Sequence, residues 1–87
     1  MILVVYDITD DRVRYRVAEI LKDFGLKRIQ KSAFIGELDI QERKDLVDIL
    51  SRLIKDDSDR IDVFFICQKD LRLHKKIIRK GIFAELL

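Results

Sequence analysis

The order of apolar patterns along the 87 residues predicts an α+β domain in which strand, helix, strand, strand, helix and strand follow one another. Three observations carry that reading. The chain opens on a continuous β-branched run, "ILVVYDI"; two later stretches space their apolar residues at helical intervals; and "LKRIQKSAFIGEL" between them alternates polar with apolar residues.

The first run has strand length, and the acids that follow it, Asp10 and Asp11, are residues that cap helices. Val13, Val17, Ile20, Leu21 and Phe24 then share one helical face, and Gly25 stands where a left-handed cap ends a helix. In "LKRIQKSAFIGEL" the spacing predicts a hairpin with its turn near Lys31 to Ala33 and with Gly36 as a bulge. Asp39 with Glu42 has the pattern of a capping box, and Leu46, Ile49, Leu50, Leu53 and Ile54 supply the apolar stripe of a second helix before the polar loop "KDDSD". The aromatic and β-branched run "IDVFFIC" is the fourth strand. Beyond it "LRLHKKIIRK" reads as helical or irregular, and "IFAELL" as an additional C-terminal strand.

Strand and helix in this order make the split βαβ, or ferredoxin-like, arrangement, a single domain over residues 1–87 whose antiparallel sheet carries both helices on one face. In the first strand Ile2, Val4 and Tyr6 point one way and Leu3, Val5 and Asp7 the other. Phe64 and Ile66 alternate in the same manner with Val63, Phe65 and Cys67. Both faces are therefore apolar, and the one without helices needs a cover, most simply a two-fold homodimer packed sheet against sheet.

Composition narrows the class. With 48% hydrophobic and 39% charged residues the chain is an ordered globular one dense in charge. No apolar stretch approaches the roughly 18 residues of a membrane span, and the apolar start lacks a basic flank, so a cytoplasmic protein without membrane contact is expected. Cys67 is the only cysteine, which excludes an internal disulfide and a cysteine metal cage, and it reads as a packed small hydrophobe. His74 is the only histidine and reads as solvated or phosphate-contacting. The net charge of +2 is modest, but it is segregated. Asp39 to Asp62 holds eight acids against five bases, whereas Lys69 to Lys80 holds six bases against one acid. Further bases gather at Arg12, Arg14 and Arg16 and at Lys27, Arg28 and Lys31, which favours one basic and one acidic face.

Asp7 ends an otherwise apolar strand. It is either a polar strand terminus or a reactive group. Near a dimer axis it would occur twice, and two facing carboxylates suit magnesium, which takes one or two carboxylates and completes its shell with water and phosphate oxygens. Because close carboxylates repel, metal binding there should strengthen as pH rises. Arg14 and Arg16 flank the apolar stripe of the first helix and can reach a phosphate backbone or pair with Asp10, Asp11 or Asp23. Tyr6 and Phe34 can stack on unpaired bases or belong to the core.

The opening "VVYDITDDRVRYRVAEIL", then "FGLKRIQKSAFIGEL", then a helix and "RIDVFFI", closely resembles the CRISPR-associated Cas-two family of small adaptation nucleases. The resemblance runs from Met1 to about Cys67. It implies a ferredoxin-like homodimer in which Asp7 from each subunit is catalytic and holds Mg2+ or Mn2+ for phosphodiester cleavage of RNA or DNA. It also implies Tyr6, Arg14, Arg16, Arg28 and Phe34 as site neighbours or nucleic-acid contacts. A Cas-one integrase is the implied partner, with the dimer holding duplex DNA in spacer acquisition. The alternatives are a non-catalytic DNA-holding scaffold of that complex and a toxin-like ribonuclease of the same fold. In the family the tail often donates a strand to the partner subunit, a role that would fall to Ile82 to Leu86.

Overall fold

The computed structural model describes residues 1–83. Its elements are β1 (Ile2–Asp7), α1 (Asp11–Asp23), β2 (Lys27–Gln30), β3 (Ala33–Gly36), α2 (Ile40–Leu53), β4 (Arg60–Phe65), α3 (Gln68–Leu71), β5 (Lys76–Ile78) and β6 (Gly81–Phe83). The first four strands form an antiparallel sheet in the order β2-β3-β1-β4, so β1 is central and the expected βαββαβ arrangement is present. No helix of the described residues is long and apolar enough to cross a membrane.

Local signals set the helix boundaries. The Asp10 carboxylate accepts from the backbone N–H groups of Arg12 and Val13 and starts α1, which Gly25 ends at φ +84°. At α2 Asp39 accepts from the Glu42 N–H at 2.7 Å while the Glu42 carboxylate accepts from the Asp39 N–H at 3.0 Å, closing the capping box. Both helices lie on one face of the sheet, where Val17, Ala18 and Leu21 of α1 and Leu46 and Leu50 of α2 meet Ile2, Val4, Tyr6 and Phe34 in one core.

The bulge expected at Gly36 lies elsewhere. The register shifts between Arg28 and Gln30 in β2. Gly36 serves a close approach instead: a Cβ at this position would meet the Leu26 side chain at 2.6 Å.

The tail agrees with the expectation in part. Ile82 and Phe83 belong to an additional strand, β6, but "LRLHKKIIRK" runs from the end of α3 into β5, and among the described residues β5 and β6 pair with each other as a separate hairpin, not with the four-stranded sheet. Ala84 to Leu87, part of the segment expected to reach a partner subunit, lie outside the described residues.

Cross-strand register sorts the open face. Leu3 stands opposite Ile35 and Phe64, Val5 opposite Ala33 and Asp62, and Asp7 opposite Arg60, so these residues share the side away from the helices. The chain covers part of that side itself. Leu71 of α3 is buried and lines one cavity with Leu3, Val5, Ala33 and Ile35, of which the last two are buried as well. Toward β4 the face stays open, with Val5 37% and Phe64 49% exposed. A single chain thus leaves uncovered the part of the sheet that borders Asp7.

Candidate functional site

Asp7 is the last residue of β1, exposed on the open face, and its side chain has no hydrogen bond or ion pair among the described residues. The chain leaves the sheet there through Ile8, which is buried in the core. Two contacts then fix the β1–α1 loop. The Thr9 backbone N–H and its Oγ1 donate to Asp59 Oδ1 at 3.2 and 3.3 Å, tying the loop to the entry of β4. Arg14 reaches back from α1, its Nη1 donating to the Ile8 carbonyl at 3.0 Å and its Nη2 pairing with Asp11. These tethers hold the backbone at the end of β1, from which the Asp7 side chain projects.

Across from Asp7 stands Arg60 and, two positions further along β4 on the same face, Asp62. Arg60 Nε donates to Asp62 Oδ2 at 2.8 Å and its Nη2 to Oδ1 at 3.2 Å, a bidentate pair along one strand. That hydrogen bonding first, and the Asp62 charge second, push the guanidinium pKa up, so the cation is permanent. Pleat parity counted back from Phe64, which stands opposite Leu3, puts both residues on the Asp7 face.

The remaining predicted residues lie behind the sheet. Tyr6 and Phe34 point to the helices, 4% and 0% exposed, their rings 6.3 Å apart and inclined by 23°. Of the two readings open to these rings, base stacking and core, this burial gives the core: Ile2, Val4 and the α1 stripe occupy the same layer. The Tyr6 hydroxyl is buried without a hydrogen-bond partner among the described residues. The Arg28 guanidinium lies over the Phe34 ring, 4.9 Å from its centre. Tyr6, Arg14, Arg28 and Lys31 line a cleft of about 350 Å³ between α1 and the β2–β3 turn, with Asp11 and Glu19 on its helical wall. Arg16, exposed and with no partner among the described residues, does not line that cleft. The structure therefore separates Asp7 from Tyr6, Arg14, Arg28 and Phe34 by the thickness of the sheet.

His74 and Cys67 are far from this arrangement in role. His74 lines a basic cleft of about 500 Å³ with Lys27, Arg28 and Lys75. Cys67 is exposed at the start of α3, which corrects its reading as a packed hydrophobe: the strand ends before it, at Phe65.

The donor set suits a hard divalent cation if two chains contribute. Each chain offers one free carboxylate at Asp7, and no group of three or more metal-ligating side chains exists among the described residues. A carboxylate pair with open positions for water and phosphate is the coordination magnesium accepts.

The sequence pattern of the family described as CRISPR associated protein Cas2 matches residues 1–73. A protein of Korarchaeum cryptofilum named CRISPR-associated endoribonuclease Cas2 is 63% identical over 78 residues, covering 90% of this chain and 84% of that protein. A protein of Thermoproteus tenax named CRISPR-associated endonuclease Cas1/endonuclease Cas2 fusion is 39% identical over 70 residues, 80% of this chain and 26% of the fusion. Among solved structures, Cas2 of Streptococcus pyogenes superimposes with a TM-score of 0.76 at 23% identity, covering 87% of this chain and 96% of that one, and supports the fold. Since the family pattern spans most of the chain and a relative this similar covers nearly all of it, the chain belongs to the CRISPR associated protein Cas2 family.

Proposed function

We propose that this chain is a metal-dependent endonuclease whose Asp7, presented twice by a homodimer closed over the open sheet face, holds Mg2+ or Mn2+ and supports cleavage of phosphodiester bonds in RNA. The observation that carries the proposal is the unpartnered, exposed Asp7 carboxylate at the uncovered apolar border of Val5 and Phe64. RNA is preferred to DNA as substrate because similar proteins carry the name endoribonuclease.

A bound divalent ion supplies an activated water and neutralises charge that builds on the scissile phosphate. The chain's own groups do the rest. The Thr9–Asp59 and Arg14–Ile8 tethers hold the Asp7 backbone at a fixed height above the sheet. Arg16, free on the exposed side of α1, attracts the phosphate backbone and positions the strand without reading sequence. Arg28, Lys31 and Arg14 line a separate basic cleft behind the sheet. Closure over the open face removes water from around the carboxylates, which strengthens every charge interaction there.

A second reading is favoured by one observation, the relative in which Cas1 and Cas2 are fused. In it the dimer is a scaffold that holds DNA for a Cas1 integrase through the same basic surface, and Asp7 takes no part. Cleavage of labelled single-stranded RNA and duplex DNA by wild type and Asp7→Asn, with magnesium and with chelator, and with binding measured alongside, separates the readings. The nuclease reading expects cutting that disappears with chelator and in the variant while binding persists. Equal binding with no cutting by either protein supports the scaffold.

A further inference from the structure

Asp7 and Arg60 are direct cross-strand partners on the same face of the sheet. Side chains so placed have their Cβ atoms about 4.5–5.5 Å apart, within easy reach of a guanidinium. Opposite charges in that position ordinarily pair. Here they do not: both Nε and Nη2 of Arg60 go to Asp62, and the Asp7 carboxylate is left without a cation.

Two carboxylates share the face of Arg60, and Asp62 is the one that it binds. Asp62 lies two residues away on the same strand and face, opposite Val5, and receives the guanidinium with both carboxylate oxygens. A planar fork meeting a carboxylate along two parallel hydrogen bonds is stronger and more directional than a single contact. Asp62 is also the better sheltered of the two, its side chain 35% exposed against 75% for Arg60.

We infer that Asp62 is a positioning residue for the Asp7 site: by holding Arg60 along β4, it keeps the cation that faces Asp7 from neutralising that carboxylate and leaves Asp7 free to take a hard divalent cation. This inference rests on the metal-binding reading of Asp7 given above. Without Asp62, the Arg60 guanidinium turns across the strands to Asp7. A metal ion must then displace a permanent cation before it binds, and the site loses affinity although none of its ligands has changed. The acid at position 62 thus acts through Arg60, not on the ion.

The test uses Asp62→Asn, nearly isosteric, and Asp62→Ala, with Arg60→Gln/Asp62→Ala as the compensated variant and Asp7→Asn as control. Crystal structures of the two single Asp62 variants are expected to show the Arg60 guanidinium within hydrogen-bonding distance of Asp7. Titration with Mn2+ alone, followed by electron paramagnetic resonance, is expected to show affinity reduced about ten- to a hundredfold in both, as for other residues that orient ligands from outside the coordination shell. The compensated variant is expected to regain the wild-type affinity. Arg60 remaining turned away from Asp7 in both crystal structures overturns the inference, as does Mn2+ affinity unchanged by loss of Asp62. If Asp7→Asn binds Mn2+ as wild type does, the metal reading of Asp7 fails, and the crystal structures still decide whether Asp62 holds Arg60 away.

Discussion

Asp7 and Arg60 face each other across β1 and β4, yet the Arg60 guanidinium is bound by Asp62 at 2.8 and 3.2 Å and Asp7 keeps a free carboxylate. That relationship places an unneutralised acid at the edge of an apolar surface.

The uncovered apolar border should govern assembly. Phe64→Asp puts a charge where a second sheet would pack and is expected to yield a monomer in sedimentation equilibrium under conditions in which the wild type is a dimer. A dimer that survives this change would move the interface away from the open face.

The Tyr6 hydroxyl is buried without a partner, so Tyr6→Phe removes a desolvated polar group and is expected to leave stability unchanged or to raise it by up to about 1 kcal/mol. Phe34→Ala empties the same layer and should cost about 3–5 kcal/mol in denaturant unfolding. A Tyr6→Phe protein as unstable as Phe34→Ala would mean that the hydroxyl has a partner in solution.

Arg14 and Arg16, close in sequence, should separate in their effects. Arg14→Ala loses the charged donor to the Ile8 carbonyl and is expected to destabilise by about 1–2 kcal/mol. Arg16→Ala should leave stability within about 0.5 kcal/mol of wild type, as exposed substitutions do. Its signature is electrostatic: the salt dependence of single-stranded RNA binding should fall by about 0.7 in slope if one phosphate contact is lost. Equal effects of the two substitutions on stability would contradict this division.

Acid should weaken the fold through identifiable carboxylates. The backbone N–H of Val13, followed by that of Arg12, holds Asp10 below the usual carboxylate range, and the backbone N–H and hydroxyl of Ser58 do the same for Asp56. A carboxylate lowered in the folded state stabilises fully above its unfolded pKa, about 3.9, and loses that contribution as pH falls through the folded value. Stability measured by urea unfolding is thus expected to decline below about pH 4. The decline should be shallower in Asp10→Ala, which has already lost the cap.

Much of this was legible in the sequence because two periodicities are unambiguous. The capping box at Asp39 and Glu42, the stop at Gly25 and the opposite orientations of Tyr6 and Asp7 follow from local chemistry alone. Which face of β1 receives the helices was not legible, since Ile2 and Val4 are as apolar as Leu3 and Val5, and so a base-stacking role for Tyr6 and Phe34 stood open beside the core. Register was the other obstacle. A slip of one residue in β4 would send Arg60 and Asp62 to the helix side, and only the three-dimensional pairing with β1 brings them to Asp7. In the tail, charged residues interrupt every apolar run, and strands as short as Lys76–Ile78 leave too few positions for a period to emerge.

The central claim is that two chains share an ion through Asp7. The direct measurement is the stoichiometry of Mn2+ bound to the dimer, with Asp7→Asn in parallel. The account predicts one ion for every two chains in the wild type and loss of that ion in the variant. One ion per chain, or binding that persists without the Asp7 carboxylate, would contradict it.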